Sequence, residues 1–449
     1  MFRTVCTDAV CFGGPISEVF CECSPISMGT FTKSAGVSIN YTILAQVKTI
    51  YRTFQFELQP TQEQKVLLDK HFGCIRYVFN HFLNERKEQY QAGNKSDNYY
   101  AQAAALTELK KQEETSWLKE VNSQSLQFAL RCLDTAYVNF FRGNAKFPRF
   151  KSRKKKNTFT VPQFAKLRDG RFYAPKFKEG IKVTVHREVK GEIGKCILSK
   201  TPTGKYFVSI LSEEQYQPKE KTGAVCGIDL GLKDFAVTSD GIRFKNNKYT
   251  KHYERKLAKA QEHLSRKTKG SNSFEKQRRK TALIHGKITN SRMDNLHQVS
   301  HKLVSDFDLI ALEDLDVKGM VKNPKLAKHI SDASWGTFVR FLEYKADWND
   351  RQIVKINRWY PSSKTCCECG WINQDLNLSI REWTCKNGHV LDRDLNAAKN
   401  ILKEGLKIYG QGLSITRVER KSDFGNKAHA MKPEAHPIAF GVGGQFTIA

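Results

Sequence analysis

Acidic side chains interrupt apolar, strand-forming runs at two places in this chain, and a third acidic pair opens a helix far downstream. Residues 225–242 read VCGIDLGLKDFAVTSDGI: an apolar run delivers Asp229, Gly231 permits a tight turn, and DFAVT makes a second strand closed by Ser239-Asp240-Gly241. Asp308 to Leu315, DLIALEDL, is a second apolar strand, ending on Glu313 and Asp314. The third place is LDRDLNAAKNI, where Asp392 and Asp394 open a helix. A carboxylate in a buried strand is costly unless it is paired or holds a cation. Helix-opening acids alone are commonly caps or dipole partners. Three such places in one chain limit the folds it can adopt.

The elements between them narrow the choice. A hairpin with Asp, a helical stretch, a strand with Glu, a helix from Ser334 to Trp348, a strand from Gln352 to Asn357 and a helix with Asp follow the order of a ribonuclease-H-like fold. Convergent carboxylates in that fold hold two divalent ions about 4 Å apart, which clamp the attacking and leaving oxygens of a phosphodiester. Hard oxygen donors select Mg²⁺ or Mn²⁺.

Charge points to the same substrate class. Lys plus Arg number 74 against 46 Asp plus Glu, a net charge of +28, which repels itself unless a polyanion such as nucleic acid is near. With 40% hydrophobic residues the chain can bury real cores, and 449 residues suggest two to four domains. No apolar run is long enough to span a bilayer, and the first thirty residues carry Asp8, Glu18 and Glu22 without a long apolar segment. The expectation is a soluble protein of the cytoplasm with no membrane partner.

Cysteines divide by placement. Cys74, Cys132, Cys196 and Cys226 stand singly in apolar segments and read as buried small hydrophobes. Cys6, Cys11, Cys21 and Cys23 fall in an N-terminal stretch without amphipathic period, read as disordered. Cys366-x-x-Cys369 followed by Cys385 has the spacing of a zinc ribbon. Gly388 stands where a fourth Cys is expected, so His389 is the nearest donor, with Cys367 as the alternative.

Around these sites the pattern is coarser. Phe54, Phe56 and Leu58 alternate with polar residues as a strand, Pro60 stops it, and Thr61 with Gln64 forms a capping box. Residues 82–145 read as helical, with Leu126, Leu130, Leu133, Tyr137 and Phe140 in one stripe. Lys146 to Lys156, KFPRFKSRKKK, interleaves Phe147 and Phe150 with Lys146, Arg149, Lys151 and Arg153, a composition suited to phosphate contact and base stacking. Short strands follow to about Leu211, and the strand at 51–59 joins them in one barrel or sheet with the helices inserted. A basic helical belt covers 251–300 with a break at Lys267–Asn272.

GIDLGLKDFAVTSDG, IALEDLDVKGM, SSKTCCECG and HVLDRDLNAAKNIL, with FQFELQPTQEQ, WLKEVNSQSLQ and NFFRGNAKFPRFKSR, resemble the TnpB (OrfB) proteins of insertion sequences, which are similar to compact type V CRISPR effectors. The resemblance runs from Tyr51 to about Gly410. It implies an RNA-guided DNA endonuclease with the triad Asp229, Glu313 and Asp394, Asp392 being a neighbour. It implies a guide RNA from the transposon end, a double-stranded DNA target, and protein reading of a short flanking motif. Asn122, Ser123 and Gln124 are its candidates for base-edge contacts, with an N-cap as the competing role. The implied α/β multidomain layout is a wedge-like barrel (48–60 and 158–222), a helical lobe (61–157), a RuvC-like nuclease domain (223–360 and 391–410), an inserted zinc ribbon (361–390), and disordered segments at 1–47 and 411–449. A transposase acting directly on transposon ends and a non-catalytic RNA-guided binder are the rival readings.

Overall fold

The computed structural model describes residues 47–415 except 95, 154–156 and 378, with side chains described to 411. The disordered segments expected at 1–47 and 411–449, and the four N-terminal cysteines, lie outside the described residues except at their inner edges. There the last helix continues to Ile415, beyond the expected start of the tail.

Strand β1 (Lys48–Gln59) buries Phe54, Phe56 and Leu58, as its alternation requires. Thr61 then caps helix α1 (Gln62–Gln91) reciprocally: Gln64 N donates to Thr61 Oγ1 at 3.3 Å and Thr61 N to Gln64 Oε1 at 3.1 Å. The region expected to be helical from 82 to 145 is broken. Asn98 caps α2 (Tyr99–Leu109), a 3₁₀ turn covers Glu113–Glu120, and Asn122 caps α3 (Ser123–Phe141). Side-chain caps at both Asn residues start a new helix, which an apolar period alone does not reveal. Leu126, Leu130, Leu133 and Tyr137 are buried, while Phe140 is half-buried. Cys132 is exposed, contrary to expectation, because it lies on the side of α3 turned from this stripe; Cys74, Cys196 and Cys226 are buried.

Six further strands follow: β2 (Asn157–Val161), β3 (Lys166–Arg168), β4 (Arg171–Ala174), β5 (Phe177–Thr184), β6 (Glu192–Lys200) and β7 (Tyr206–Tyr216). With β1 they form an antiparallel sheet ordered β2-β6-β7-β1-β5-β4-β3, in which β1 pairs with β7 from Lys48↔Tyr216 to Leu58↔Tyr206. The pairing leaves β2 and β3 as edges, so the expected barrel is an open sheet in its hydrogen bonds. Among the described residues β2 pairs only with β6 and β3 only with β4, so no ladder joins the two ends.

A second sheet is ordered β10-β9-β8-β11-β12. Strands β8 (Val225–Leu230), β9 (Asp234–Thr238) and β10 (Arg243–Lys245) are antiparallel; β11 (Leu309–Glu313) and β12 (Gln352–Ile356) run parallel to β8. Between β10 and β11 lie α4 (Tyr249–His252), α5 (Glu254–Ser265) and α6 (Asn272–Asp306), the break falling where the sequence places it. Between β11 and β12 lie α7 (Val317–Met320), α8 (Pro324–Ala333) and α9 (Trp335–Trp348). A small hairpin of β13 (Glu382–Thr384) and β14 (Val390–Asp392) precedes α10 (Arg393–Ile415). No helix among the described residues is long and apolar enough to cross a membrane.

Alternation divides this sheet into two faces. Cys226, Ile228, Ile310 and Leu312 pack with Leu303 of α6 and Phe338 and Phe341 of α9. Gly227 and Ala311 face the other way, toward α10. A Cβ at Gly227 would lie 2.2 Å from Ala398 O and 2.6 Å from Leu402 N, and one at Gly405 would lie 2.4 Å from Ala311 Cβ. Helix and sheet therefore touch backbone to backbone. The two sheets meet through α9: the Arg52 guanidinium lies 4.9 Å from the Trp348 ring and 3.0 Å from Glu214, and Tyr216 Oη donates to Asn349 Oδ1 at 2.9 Å.

Gly227→Ala should destabilise the protein by about 1–3 kcal/mol, the usual cost of overpacking, because α10 must lift to admit a methyl. Thermal unfolding checks this; an unchanged melting temperature contradicts the backbone contact.

Candidate metal and nucleic-acid sites

The contact between α10 and the sheet sets the position of three carboxylates. Ala311 pairs with Gly227 and Leu312 with Ile228, so Glu313 and Asp229 follow side by side at the ends of two parallel strands. Both lie two residues beyond a residue that faces α10, and they share that face. On α10, Ala398 sits over Gly227, and Asp394 is four residues earlier. One helical turn back is about 6 Å; two residues along a strand are about 6.6 Å. The two steps match, and Asp394 meets the end of β8.

The remaining acids are tied up elsewhere. Arg358 Nη2 is 2.5 Å from Asp314. Asp392 caps α10, accepting from Leu395 N at 2.9 Å, and pairs with Arg243 at 2.9 Å. Burial, reinforced by Glu313 and then Asp394, pushes Asp229 up to about 7, against the pull of Arg393 and Arg381. Burial also raises Glu313, opposed by Ser362, whose Oγ–H donates to Glu313 Oε1 at 2.6 Å. Asp394, 8% exposed, receives Arg381 Nη1 at 3.2 Å on each oxygen and Arg393 Nη2 at 3.0 Å. Asp229 meets no protein hydrogen-bond donor among the described residues. Crowded carboxylates with an oxygen-only donor set suit a hard divalent cation, whose charge would remove the repulsion that raises Asp229.

Two groups at this site are not signalled by sequence period. Arg381 reaches Asp394 from the inserted hairpin. Ser362 is fixed by two buried asparagines one turn apart on α10. Asn400 Nδ2 donates to Ser362 O at 2.8 Å and Thr365 O at 2.6 Å; Asn396 Nδ2 donates to Thr365 O at 2.7 Å. Polar residues recurring on an otherwise apolar helix face are the one signal that could have drawn attention to them.

The same loop leads into the sulfur cluster. Ligand atoms of Cys366, Cys369, Cys385 and His389 all lie within 4.8 Å of one another. Cys369 Sγ is 3.7 Å from Cys385 Sγ, and His389 Nδ1 is 3.6 Å from Cys366 Sγ and 3.1 Å from Cys385 Sγ. Tetrahedral zinc with Zn–S near 2.3 Å requires sulfurs about 3.75 Å apart. A hydrogen bond from the Trp371 backbone is the first of the contacts that hold the Cys369 thiol low, as a ligand thiolate needs. Cys367 points away: its N donates to Asn396 Oδ1 at 2.8 Å and its Sγ faces Glu368. The alternative ligand is thereby set aside.

The nucleic-acid candidates lie on the helical lobe. Asn122 is buried and spent on capping α3, accepting from Gln124 N at 3.1 Å. Ser123 is exposed and receives Lys110 Nζ at 3.0 Å; Gln124 Nε2 donates to Gln163 at 3.3 Å. This turn is held from behind by His71, whose Nδ1 lies 2.8 Å from Leu67 O and whose Nε2 accepts from Asn122 N at 3.1 Å. Lys146, Arg149 and Arg153 are exposed. Lys151 has an exposed stem, but its ammonium rests 3.8 Å from the Phe79 ring centre, and desolvation lowers its pKa. Residues 154–156 of the basic run lie outside the described residues.

Comparison with known proteins gives three family profiles. "Probable transposase" matches residues 206–324 and "Cas12f1-like, TNB domain" matches 335–401. "Helix-turn-helix domain" matches 50–95, where the structure has β1 and the single helix α1. A Streptomyces pristinaespiralis protein named "Putative RNA-guided DNA endonuclease" is 40% identical over 87% of this chain and 98% of its own length. An Escherichia coli K12 protein with the same name and the suffix InsQ is 34% identical, over 80% and 94%. A solved Cas12f1–sgRNA–target DNA complex aligns with TM-score 0.44 and 11% identity over 79% of this chain and 98% of that one, too loosely to place residues.

The sulfur cluster should carry one zinc per chain, and Cys369→Ser should lower that content below half; elemental analysis of purified protein checks both. Burial lowers His71 to about 4 from an ordinary value near 6.5. The unfolded chain therefore takes up that proton first as pH falls. The stabilising effect is complete above about 6.5 and is lost toward pH 4, amounting to roughly 3 kcal/mol. Urea midpoints at pH 7 and pH 5 should show the fall in the wild type and a smaller one in His71→Leu.

Proposed function

The chain belongs to the TnpB (OrfB) family, and on that premise we propose that it is an RNA-guided DNA endonuclease with a single ribonuclease-H-like (RuvC) site at Asp229, Glu313 and Asp394. The observation that carries this reading is that Asp229 and Glu313 stand side by side at the ends of two parallel strands, with Asp394 near enough to help raise Asp229, while Asp314 and Asp392 are engaged by arginines. Relatives at 40% and 34% identity bear the matching name.

In this reading the three carboxylates hold Mg²⁺ or Mn²⁺. Such ions would lower the pKa of an attacking water and neutralise charge developing on the phosphodiester oxygens. The chain's own residues prepare the ground. Ser362 orients Glu313 through its 2.6 Å hydrogen bond, and Asp392 fixes the first turn of α10 so that Asp394 faces β8. Arg381 and Arg393 balance the charge of Asp394. Cys366, Cys369, Cys385 and His389 would hold Zn²⁺, which when bound would brace the 361–390 ribbon, and the hairpin of that ribbon delivers Arg381.

Sequence would be read by base pairing between a transposon-end guide RNA and one strand of a DNA duplex, acting in the cytoplasm on the nucleoid. The sheet of 48–60 and 158–222 acts as the wedge, and the lobe of 61–157 as the recognition element. Ser123 and Gln124 face the flanking motif, and Lys146, Arg149, Lys151 and Arg153 face phosphates.

Asp229→Ala should reduce cutting of a target matched to the copurifying RNA by at least about 10³-fold, a typical scale for lost charge stabilisation. RNA binding should stay within about twofold, since phosphate contacts are untouched. Gel assays and filter binding read both. A variant that cuts at the wild-type rate overturns the site, and joining of transposon-end DNA without RNA favours a transposase.

A further inference from the structure

Immediately after β12 the chain runs Asn357-Arg358-Trp359-Tyr360-Pro361-Ser362, and every second residue of this loop is anchored. Arg358 pairs with Asp314 at 2.5 Å, next to Glu313 in sequence. Tyr360 packs against the cluster of Ala311, Ile356 and Ile401. Ser362, 4% exposed, holds Glu313 at 2.6 Å and is itself fixed by Asn400. The turn is closed by Trp359 N donating to Asn357 Oδ1 at 2.9 Å and Tyr360 N to Asn357 O at 3.1 Å.

Between those anchors Trp359 is 84% exposed. The protein's other tryptophans are much less so: Trp335 and Trp383 are buried, Trp117 packs on Tyr77, Trp348 on Tyr344, and Trp371 on Trp383. Trp359 has no aromatic partner among the described residues. A loop held this firmly does not expose its largest side chain through slack; the backbone presents it. Three residues span at most about 11 Å, so the Trp359 backbone stands within that distance of the Ser362 backbone and hence close to the carboxylates.

We propose that Trp359 is a stacking platform for an unpaired base of the DNA strand entering the carboxylate site. The inference rests on the proposed function, because it takes single-stranded DNA to pass this point. An indole face accepts any base, as a nuclease directed by a guide requires. The interaction fixes one base of the entering strand, and with it the position of a neighbouring phosphodiester relative to Asp229, Glu313 and Asp394.

The test uses full-length Asp229→Ala protein with its copurifying RNA and a matched duplex target. 2-Aminopurine is placed in turn at successive positions of each DNA strand around the cleavage site. Stacking should quench fluorescence severalfold at one or two adjacent positions. The quench should vanish in Asp229→Ala/Trp359→Ala and persist in Asp229→Ala/Trp359→Phe. In protein with Asp229 intact, Trp359→Ala should slow single-turnover cutting about 5- to 100-fold, the range of one lost base–aromatic stack, with an unchanged melting temperature. Quenching that is the same in Asp229→Ala and Asp229→Ala/Trp359→Ala at every position overturns the inference, as does wild-type cutting by Trp359→Ala. Wild-type protein that fails to cut its matched target overturns the proposed function itself.

Discussion

The contact between α10 and the sheet at Gly227 and Gly405 is the constraint on which the rest of the site depends. A helix packed on a sheet through ordinary side chains stands off from it, and an acid as short as Asp394 would not reach the strand ends. Removing Cβ from one position on each surface brings backbone to backbone, with Ala398 O over Gly227 and Ala311 under Gly405. The nearly equal advance of one helical turn and two strand residues then sets Asp394 level with Asp229. Small residues therefore determine the geometry of the charged ones.

The polar half of the same helix does the complementary work. Asn396 and Asn400, each 2% exposed, replace apolar residues on the buried face and bind carbonyls of the loop that precedes the sulfur cluster. Buried amides are costly unless satisfied, and here they have well-defined partners. One face of α10 thus registers Asp394 against β8, holds Ser362 against Glu313, and seats the start of the ribbon. The sulfur cluster and the carboxylate geometry share a single scaffold.

Much of this was legible in the sequence because it rests on short-range chemistry. The capping box at Thr61 and Gln64, the β1 alternation, the break between α5 and α6, and the three acid-bearing elements all follow from local rules. The stretch after residue 82 has the pattern of continuous helix because apolar period does not register the caps at Asn98 and Asn122. Closure of the first sheet, and the exposure of Cys132, depend on neighbours distant in sequence. In the candidate site, residue type singled out the five acids, and only tertiary contacts could separate Asp314 and Asp392, held by arginines, from the three that converge. Arg381 and Ser362 carry no local mark; they are defined by what they touch.

The acids lie at positions 229, 313 and 394, each on a different segment, and the last is on the helix that completes the sheet's second face. During synthesis β8 and β11 can pair as soon as both have emerged, yet the third acid joins the other two only when α10 docks. A chain still on the ribosome can already have its basic lobe while its third acid has yet to reach the sheet. Order of translation alone makes this cluster of acids one of the later parts of the described fold to assemble.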